Sequence, residues 1–431
     1  MNRSQRHQAS LAWARSSWRL LVAGALVTLL TGWHVARPAH ASTTTITYWT
    51  YQQSAKNILA ATDASIKTFE RQNPGITVKT TVFPYPVYRD KLLVAVKGGR
   101  APDIATLDQI WTSEFAASGN IIPLDAYIAK SRVVKSSVFF AGAWSSATYR
   151  GHVWGVPQSN DVWEQLYYNK DMFAQAGITH PPRTWDELLA DGKKLTHPPA
   201  QYGLALLGHQ GEDTICTIDS FIYSGGGRVL NADATKAVIN SPAAVQAIRF
   251  YQSLAAIAPA GTINRAETDA ASLFTARKVA MTLDGSWQQD TYTQQGGKKL
   301  HWGVAVPPAS AGKSFHGCLG GWNMAIFKQS PHADAAWRFV EYLGQKDPQM
   351  AVNAITPARI DAALQFIRTK RSGGDVLLET IKSGYPRPLS PIYPQISTIE
   401  QTMVQNIFLG MSAQKAAAKA AQDMDSAIQQ Q

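Results

Sequence analysis

The feature that most constrains the fold is an alternation of short β-branched or aromatic runs with amphipathic helical segments. It begins near residue 46 and continues along the chain. Ile46-Thr47-Tyr48-Trp49-Thr50 reads as a strand. The segment Ser54 to Asn73 carries apolar residues at Ile58, Leu59, Ile66 and Phe69 and stops at Pro74-Gly75, so it reads as a helix. Ile76 to Phe83 is a second strand, Val87 to Val96 a second helix and Asp103 to Leu107 a third strand. Strands alternating with helices predict an α/β protein built on a largely parallel sheet.

The pattern resumes after residue 180. Thr184-Trp185-Asp186-Glu187 has a threonine followed three residues later by glutamate, a capping box that opens a helix to about Leu195. Tyr202 to Leu207 reads as a buried strand. Ser241-Pro242 starts a long helix through Ala258. Val279 to Leu283, Trp302 to Val306 and Trp322 to Phe327 read as strands, and helices dominate from Ala333 to the Ala- and Gln-rich Ser412 to Gln430. At 431 residues the chain exceeds what one core holds, roughly 250–300 residues, so two domains are expected. No low-complexity linker divides it. The chain therefore crosses between the two domains more than once.

Residues 1–41 read as an address rather than as fold. Four arginines precede an apolar run from Leu20 to Leu30, and Ala39-His40-Ala41 follows as a small-residue cleavage site. The expectation is a secretory signal peptide cut after Ala41. The apolar run is short of the ~20 residues a membrane-spanning helix needs. No cysteine near the cut offers a lipid anchor. Of the formal net charge of +11, five arginines in this segment account for +5, leaving +6 for the rest. The remaining basic clusters, Lys193-Lys194, Lys298-Lys299 and Arg368 to Arg371, are too small for a nucleic-acid surface.

Catalytic signatures are missing. The chain has no H-E-x-x-H, G-x-S-x-G, Walker loop or G-x-G-x-x-G. Gly225-Gly226-Gly227 reads as a turn. Ten histidines are scattered without ligand spacing, so neither metal nor cofactor is expected. A carboxylate pair for glycoside hydrolysis needs only spatial proximity, and Asp161 with Glu164 or Asp284 is a candidate. Solvated or capping carboxylates are the competing reading. What the chain offers in abundance is aromatic side chains at strand ends and glycine-flanked turns: Trp49, Tyr51, Tyr85, Trp111, Trp154, Trp163, Tyr223, Trp287 and Trp322. Ligands of α/β sheets bind at the carboxyl ends of strands. Aromatic faces there stack on the C–H face of a pyranose, although burial in the core is an equally good account of any single one.

Eight segments in order then resemble a known family. They are Ile46 to Trp49; Gly99-Arg100-Ala101-Pro102-Asp103-Ile104; Ala117 to Leu124; Trp154-Gly155-Val156-Pro157 followed by Leu166 to Phe173; Pro182 to Leu188; Ala280 to Trp287; and Gly320 to Ile326. Together they resemble the extracellular solute-binding proteins of ABC importers, in particular the carbohydrate-binding group. The resemblance implies a two-lobed periplasmic-binding-protein fold (type II), with mixed sheets flanked by helices and a hinge between lobes that closes on ligand. It places residues 42–157 plus 279–326 in an N-terminal lobe and 158–278 plus 327–431 in a C-terminal lobe. It also implies a periplasmic, monomeric receptor without catalytic activity, with a small carbohydrate as ligand and ABC permease subunits as partners.

By position, the resemblance carries ligand contacts to Trp49, Tyr51 and Gln52 after the first strand and to Asp108 and Trp111 after the third. Further contacts are expected from Asn160, Asp161 and Trp163 beside the hinge, and from Tyr223 before the glycine run. Gly285-Ser286-Trp287, Gly321-Trp322 and Arg359 complete the set. Two alternatives stay open: a glycerol phosphodiester or other polar solute held by Arg359 and Lys56, and a secreted glycan hydrolase or lyase using the same cleft. Cys216 and Cys318 are expected as unpaired, buried thiols, because a bridge near the hinge would hinder closure.

Overall fold

A computed structural model describes residues 43–51 and 58–430. The expected signal peptide, and Gln52 and Lys56, lie outside the described residues. The strands are β1 (Thr44–Tyr51), β2 (Ile76–Phe83), β3 (Ile104–Asp108), β4 (Thr148–Tyr149), β5 (His152–Val153), β6 (Val156–Val162), β7 (Gln165–Asn169), β8 (Tyr202–Ala205), β9 (Val279–Asp284), β10 (Trp302–Ala305), β11 (Cys318–Ile326) and β12 (Tyr385–Pro386).

Two mixed sheets organise the chain. The larger runs β12-β11-β3-β1-β2, with β6 also on β11, and the smaller runs β10-β7-β9-β8. β1 is parallel to β2 and β3, whereas β11 is antiparallel to β3 and β6. In the smaller sheet β8 and β9 are parallel and β7 and β10 antiparallel to their neighbours. Both faces of the larger sheet are covered. Ile46, Tyr48, Ile104 and Met324 pack with Phe69, Phe339 and Val340 on one side, and Ala105, Leu107 and Ala325 pack with Tyr88, Trp111 and Phe115 on the other. That explains why β3 reads as a continuous Ile-Ala-Thr-Leu run without alternation.

The smaller sheet is built the same way. Helices Glu212–Ser224, Pro242–Ser253, Tyr393–Phe408 and Ala413–Gln429 supply one core. Phe274, Tyr292 and Leu300 pack on Tyr167 to form another. Local signals hold where they were strong. Thr184 Oγ1 accepts from Glu187 N–H at 3.2 Å, while Glu187 Oε2 accepts from Arg183 N–H at 2.6 Å instead of closing the box on Thr184.

The chain passes between sheets from β6 to β7, returns from β10 to β11, and leaves the larger sheet again after β12. Repeated crossing is therefore present, but the expected boundaries need correction. β9 and β10 pair with β7 in the smaller sheet, so 279–326 does not belong to one lobe. Helix Ala333–Leu343 packs on the larger sheet, with Phe339 against Tyr48 at 5.5 Å, so 327–431 is divided as well. The reason is that β9 is buried at every position and carries no face-specific pattern, so only its partners decide its sheet.

One glycine is required at the crossing. Gly321 in β11 has φ +154, and a Cβ there would lie 2.3 Å from the Ser159 carbonyl oxygen of β6. Because that contact is backbone to backbone, no rotamer relieves it. Gly321→Ala is expected to lose about 2–3 kcal/mol in urea unfolding. An unchanged midpoint would mean that β6 and β11 can separate there at no cost.

Candidate functional site

A cavity of about 330 Å³ opens between the carboxyl ends of the strands. One wall comes from the larger sheet: Tyr51 ends β1, Tyr85 starts helix Tyr85–Lys97, and Asp108 ends β3. The opposite wall is Glu267 and Thr268, at the start of helix Glu267–Thr275, with Trp287 and Gln288 after β9. Asp161, Trp163, Gly320, Gly321, Trp322, Ala354, Ile355 and Arg387 form the floor, where the chain crosses. This is the position where α/β sheets place ligands.

Two aromatic groups line it. Tyr51 lies flat on Trp322 at 3.5 Å and 6°. Tyr85 and Trp111 meet Trp322 edge-on, each at 5.9 Å. One face of Trp322 is therefore already occupied. Across the cavity Trp163 and Trp287 form a right-angled pair, 4.9 Å apart at 77°.

The polar groups at the floor tie distant segments together. Asp161 Oδ2 accepts from Ser286 Oγ at 2.5 Å and from Thr356 Oγ1 at 3.2 Å, and burial pushes its pKa up against those bonds. Asp108 accepts from Tyr85 O–H at 3.1 Å and from Arg387 Nη2 at 3.2 Å. Burial raises its pKa, and the guanidinium opposes that rise. Arg387 Nη1 donates to Glu212 Oε2 at 2.7 Å, and Glu212 also accepts from Tyr393 O–H at 2.9 Å. Arg387 thus joins an acid beside the larger sheet to an acid on helix Glu212–Ser224. Burial and the neighbouring Glu267 hold Asp284 well above the usual carboxylate range.

Of the expected contacts, Tyr51, Asp108, Asp161, Trp163, Trp287, Gly321 and Trp322 meet at this cavity. Four others stand behind it. Ser286 orients Asp161, Gly285 O accepts from Tyr167 O–H at 3.3 Å, and Trp111 backs Tyr85. Asn160 is buried beside Asp161, and its backbone N–H donates to Thr356 O at 2.8 Å.

Three expected contacts sit elsewhere. Trp49 shares a strand face with Tyr51 but lies two residues deeper, packed on Phe83 at 4.7 Å. Tyr223 is buried and donates to Asp219 Oδ2 at 3.2 Å, because its helix is buried on nearly every side. Arg359 is held by Asp361 at 2.8 Å and by the carbonyls of Val133 and Gly344.

The candidate carboxylate pairs do not assemble at this cavity. Glu164 bonds Ser220 Oγ and Asp284 accepts from Tyr292 O–H at 2.7 Å, and neither lines the cavity with Asp161. Among the described residues no group of three or more His, Cys, Asp or Glu is placed to hold a metal ion. Cys216 and Cys318 are buried and free.

Sequence reasoning missed Glu267, Gln288 and Arg387 as parts of the site. Arg387 had a local signal, a lone cation between Pro386 and Pro388. Glu267 had only its place at the first turn of a helix.

Two sheets that exchange strands at a crossing, with a cavity at that crossing, define a hinged two-lobe binding protein. The chain belongs to the bacterial extracellular solute-binding proteins, whose family model matches residues 52–350. Its fold is that of the type II periplasmic binding proteins. A solute-binding protein of an ABC transporter from Thermotoga lettingae TMO, solved with α-D-tagatose, is 30% identical with TM-score 0.77, covering 90% of this chain and 100% of that one. Maltose-bound MalE3 of T. maritima is 27% identical with TM-score 0.76, covering 89% and 100%. A binding protein of Brucella abortus (strain 2308) is 27% identical over 355 residues, 80% of this chain and 84% of that one. Among the described residues no helix is long and apolar enough to cross a membrane.

Proposed function

We propose that this protein captures a small neutral sugar between its lobes and delivers it to the permease of an ABC importer. The observation that carries this reading is the composition of the cavity wall. Among the described residues it pairs the Trp163–Trp287 corner with the carboxylates of Asp108 and Asp161, and its guanidinium, Arg387, is already shared by Asp108 and Glu212. Carboxylates accept from vicinal hydroxyls and indole faces stack on C–H faces, a combination that suits a pyranose. Among the described residues, an anionic phosphodiester would meet the acids Asp108, Asp161 and Glu267 on the cavity wall and no unpaired cation. That observation weighs against the polar-solute alternative, as does the place of Arg359, which does not line the cavity. At about 330 Å³ the cavity is near the lower end of ligand sites, roughly 300–1,000 Å³, which favours a short sugar over a long chain.

The protein works as an exported monomer, cut after Ala41 and free of a lipid anchor, and turns over no substrate. The Tagatose- and maltose-bound relatives support the ligand class. Thermal unfolding in the presence of mono- and disaccharides and of glycerol phosphodiesters tests it, because a ligand of the folded form raises the midpoint by mass action. A shift with a neutral sugar is expected. A shift with the phosphodiester alone would overturn the reading. Trp287→Ala is expected to weaken sugar binding by about 2 kcal/mol, roughly 30-fold in calorimetry.

A further inference from the structure

Trp287 is constrained from three sides at the cavity wall. A Cβ on Gly285 would fall 2.1 Å from its ring, so the indole lies directly on the glycine backbone. Its edge or face meets Trp163 at 77°. Its Nε1–H donates to Glu267 Oε1, and Gln288 Nε2 donates to the same oxygen at 2.8 Å. Glu267 is itself pinned, since its backbone N–H donates to Asp213 Oδ2 at 2.8 Å, and Asp213 Oδ1 lies 2.5 Å from His209 Nε2. Glycine, indole and carboxylate thus leave the ring one orientation, and only the carboxylate bond is directional in the plane of the ring.

We infer that Glu267 is a positioning residue for Trp287, and that this fixed indole makes the cleft selective for ring sugars over open-chain polyols. The inference rests on the carbohydrate reading above. A locked aromatic plane favours a ligand with a rigid, continuous C–H face, because both partners are ordered before they meet. An alditol presents such a face only after fixing several torsions. If the indole is free to rotate, the ring sugar loses its advantage while the alditol loses little. Glu267 acts through Trp287 in this account, not by contact with ligand, since Oε1 already accepts two N–H groups and the carboxyl also faces Asp284.

The experiment measures calorimetric affinities of the purified protein for glucose, tagatose and maltose against ribitol and sorbitol. Glu267→Met, which keeps length and bulk but accepts no hydrogen bond, is expected to weaken ring-sugar binding about tenfold and to leave polyol binding within about twofold. Glu267→Gln retains an amide oxygen for the indole N–H and is expected to restore most of the selectivity. Near-ultraviolet circular dichroism of the Trp163–Trp287 pair should change in the Met variant and recover in the Gln variant, a signature that general destabilisation would not reproduce. Equal weakening of ring sugars and polyols would overturn the positioning role, as would native selectivity in the Met variant while Trp287→Ala loses it. If Trp287→Ala binds ring sugars normally, the stacking reading fails first. If no ring sugar binds the unmodified protein, the carbohydrate reading falls and this inference falls with it.

Discussion

Arg387→Met is expected to cost the folded protein about 3–5 kcal/mol, read as a lowered midpoint in urea unfolding at neutral pH. The guanidinium is almost wholly buried and lies between Asp108 Oδ1 at 3.2 Å and Glu212 Oε2 at 2.7 Å. Removing it leaves two largely buried acids without their cation. Their remaining donors, Tyr85 O–H and Ile110 N–H on Asp108 and Tyr393 O–H and Ser397 O–H on Glu212, are neutral and offset only part of that cost. The companion experiment adds Asp108→Asn and Glu212→Gln to the Met variant. Most of the loss should return, because the uncompensated charges leave together. If the single variant unfolds like the native protein, Arg387 does not join the lobes.

Asp219→Asn should act in the opposite direction and stabilise the protein. Asp219 lies on helix Glu212–Ser224 beside Glu400 of helix Tyr393–Phe408, and both carboxyls are buried. Tyr223 O–H also faces Asp219, Arg387 lowers its pKa from the hinge side, and Glu212 raises it. Burial dominates and lifts the Asp219 pKa from 3.8 to about 7.

The sign follows from linkage. Below about pH 3 both folded and unfolded forms hold the proton, and the group costs nothing. As pH rises toward 7 the unfolded chain releases its proton while the folded one retains it, so stability falls across that window and levels off above it. The amide removes this slope, accepts from Tyr223 and can donate to Glu400. The expected gain is under about 1 kcal/mol at pH 4 and about 2–4 kcal/mol at pH 8, measured as the difference between native and variant unfolding across that range. A gain independent of pH, or none at pH 8, would refute the burial-raised pKa of Asp219.

The parts of the fold that were legible are those written in neighbouring residues. Pro74-Gly75 stops helix Ile58–Gln72, Thr184 caps helix Trp185–Lys194, and the aromatic strand ends lead to Tyr51, Trp163 and Trp287 at the cavity. Residues misplaced from sequence failed for local reasons with tertiary causes. Trp49 and Tyr51 share a face, and only depth in the strand separates a core residue from a wall residue. Tyr223 carried a favourable position by family resemblance, but its helix is enclosed by the last two helices of the chain.

Order and crossing were determined by the sequence alone, because period, capping and turn residues act over a few positions and survive without knowledge of partners. The tertiary structure alone decided which sheet received β9 and β10, and it built the floor of the site. Ser286 reaches Asp161 across 125 residues, Thr356 reaches it across 195, and Arg387 reaches Asp108 across 279. No local pattern encodes such pairs. They form because two lobes that exchange strands bring their buried polar groups to one crossing, where each must find a partner away from water.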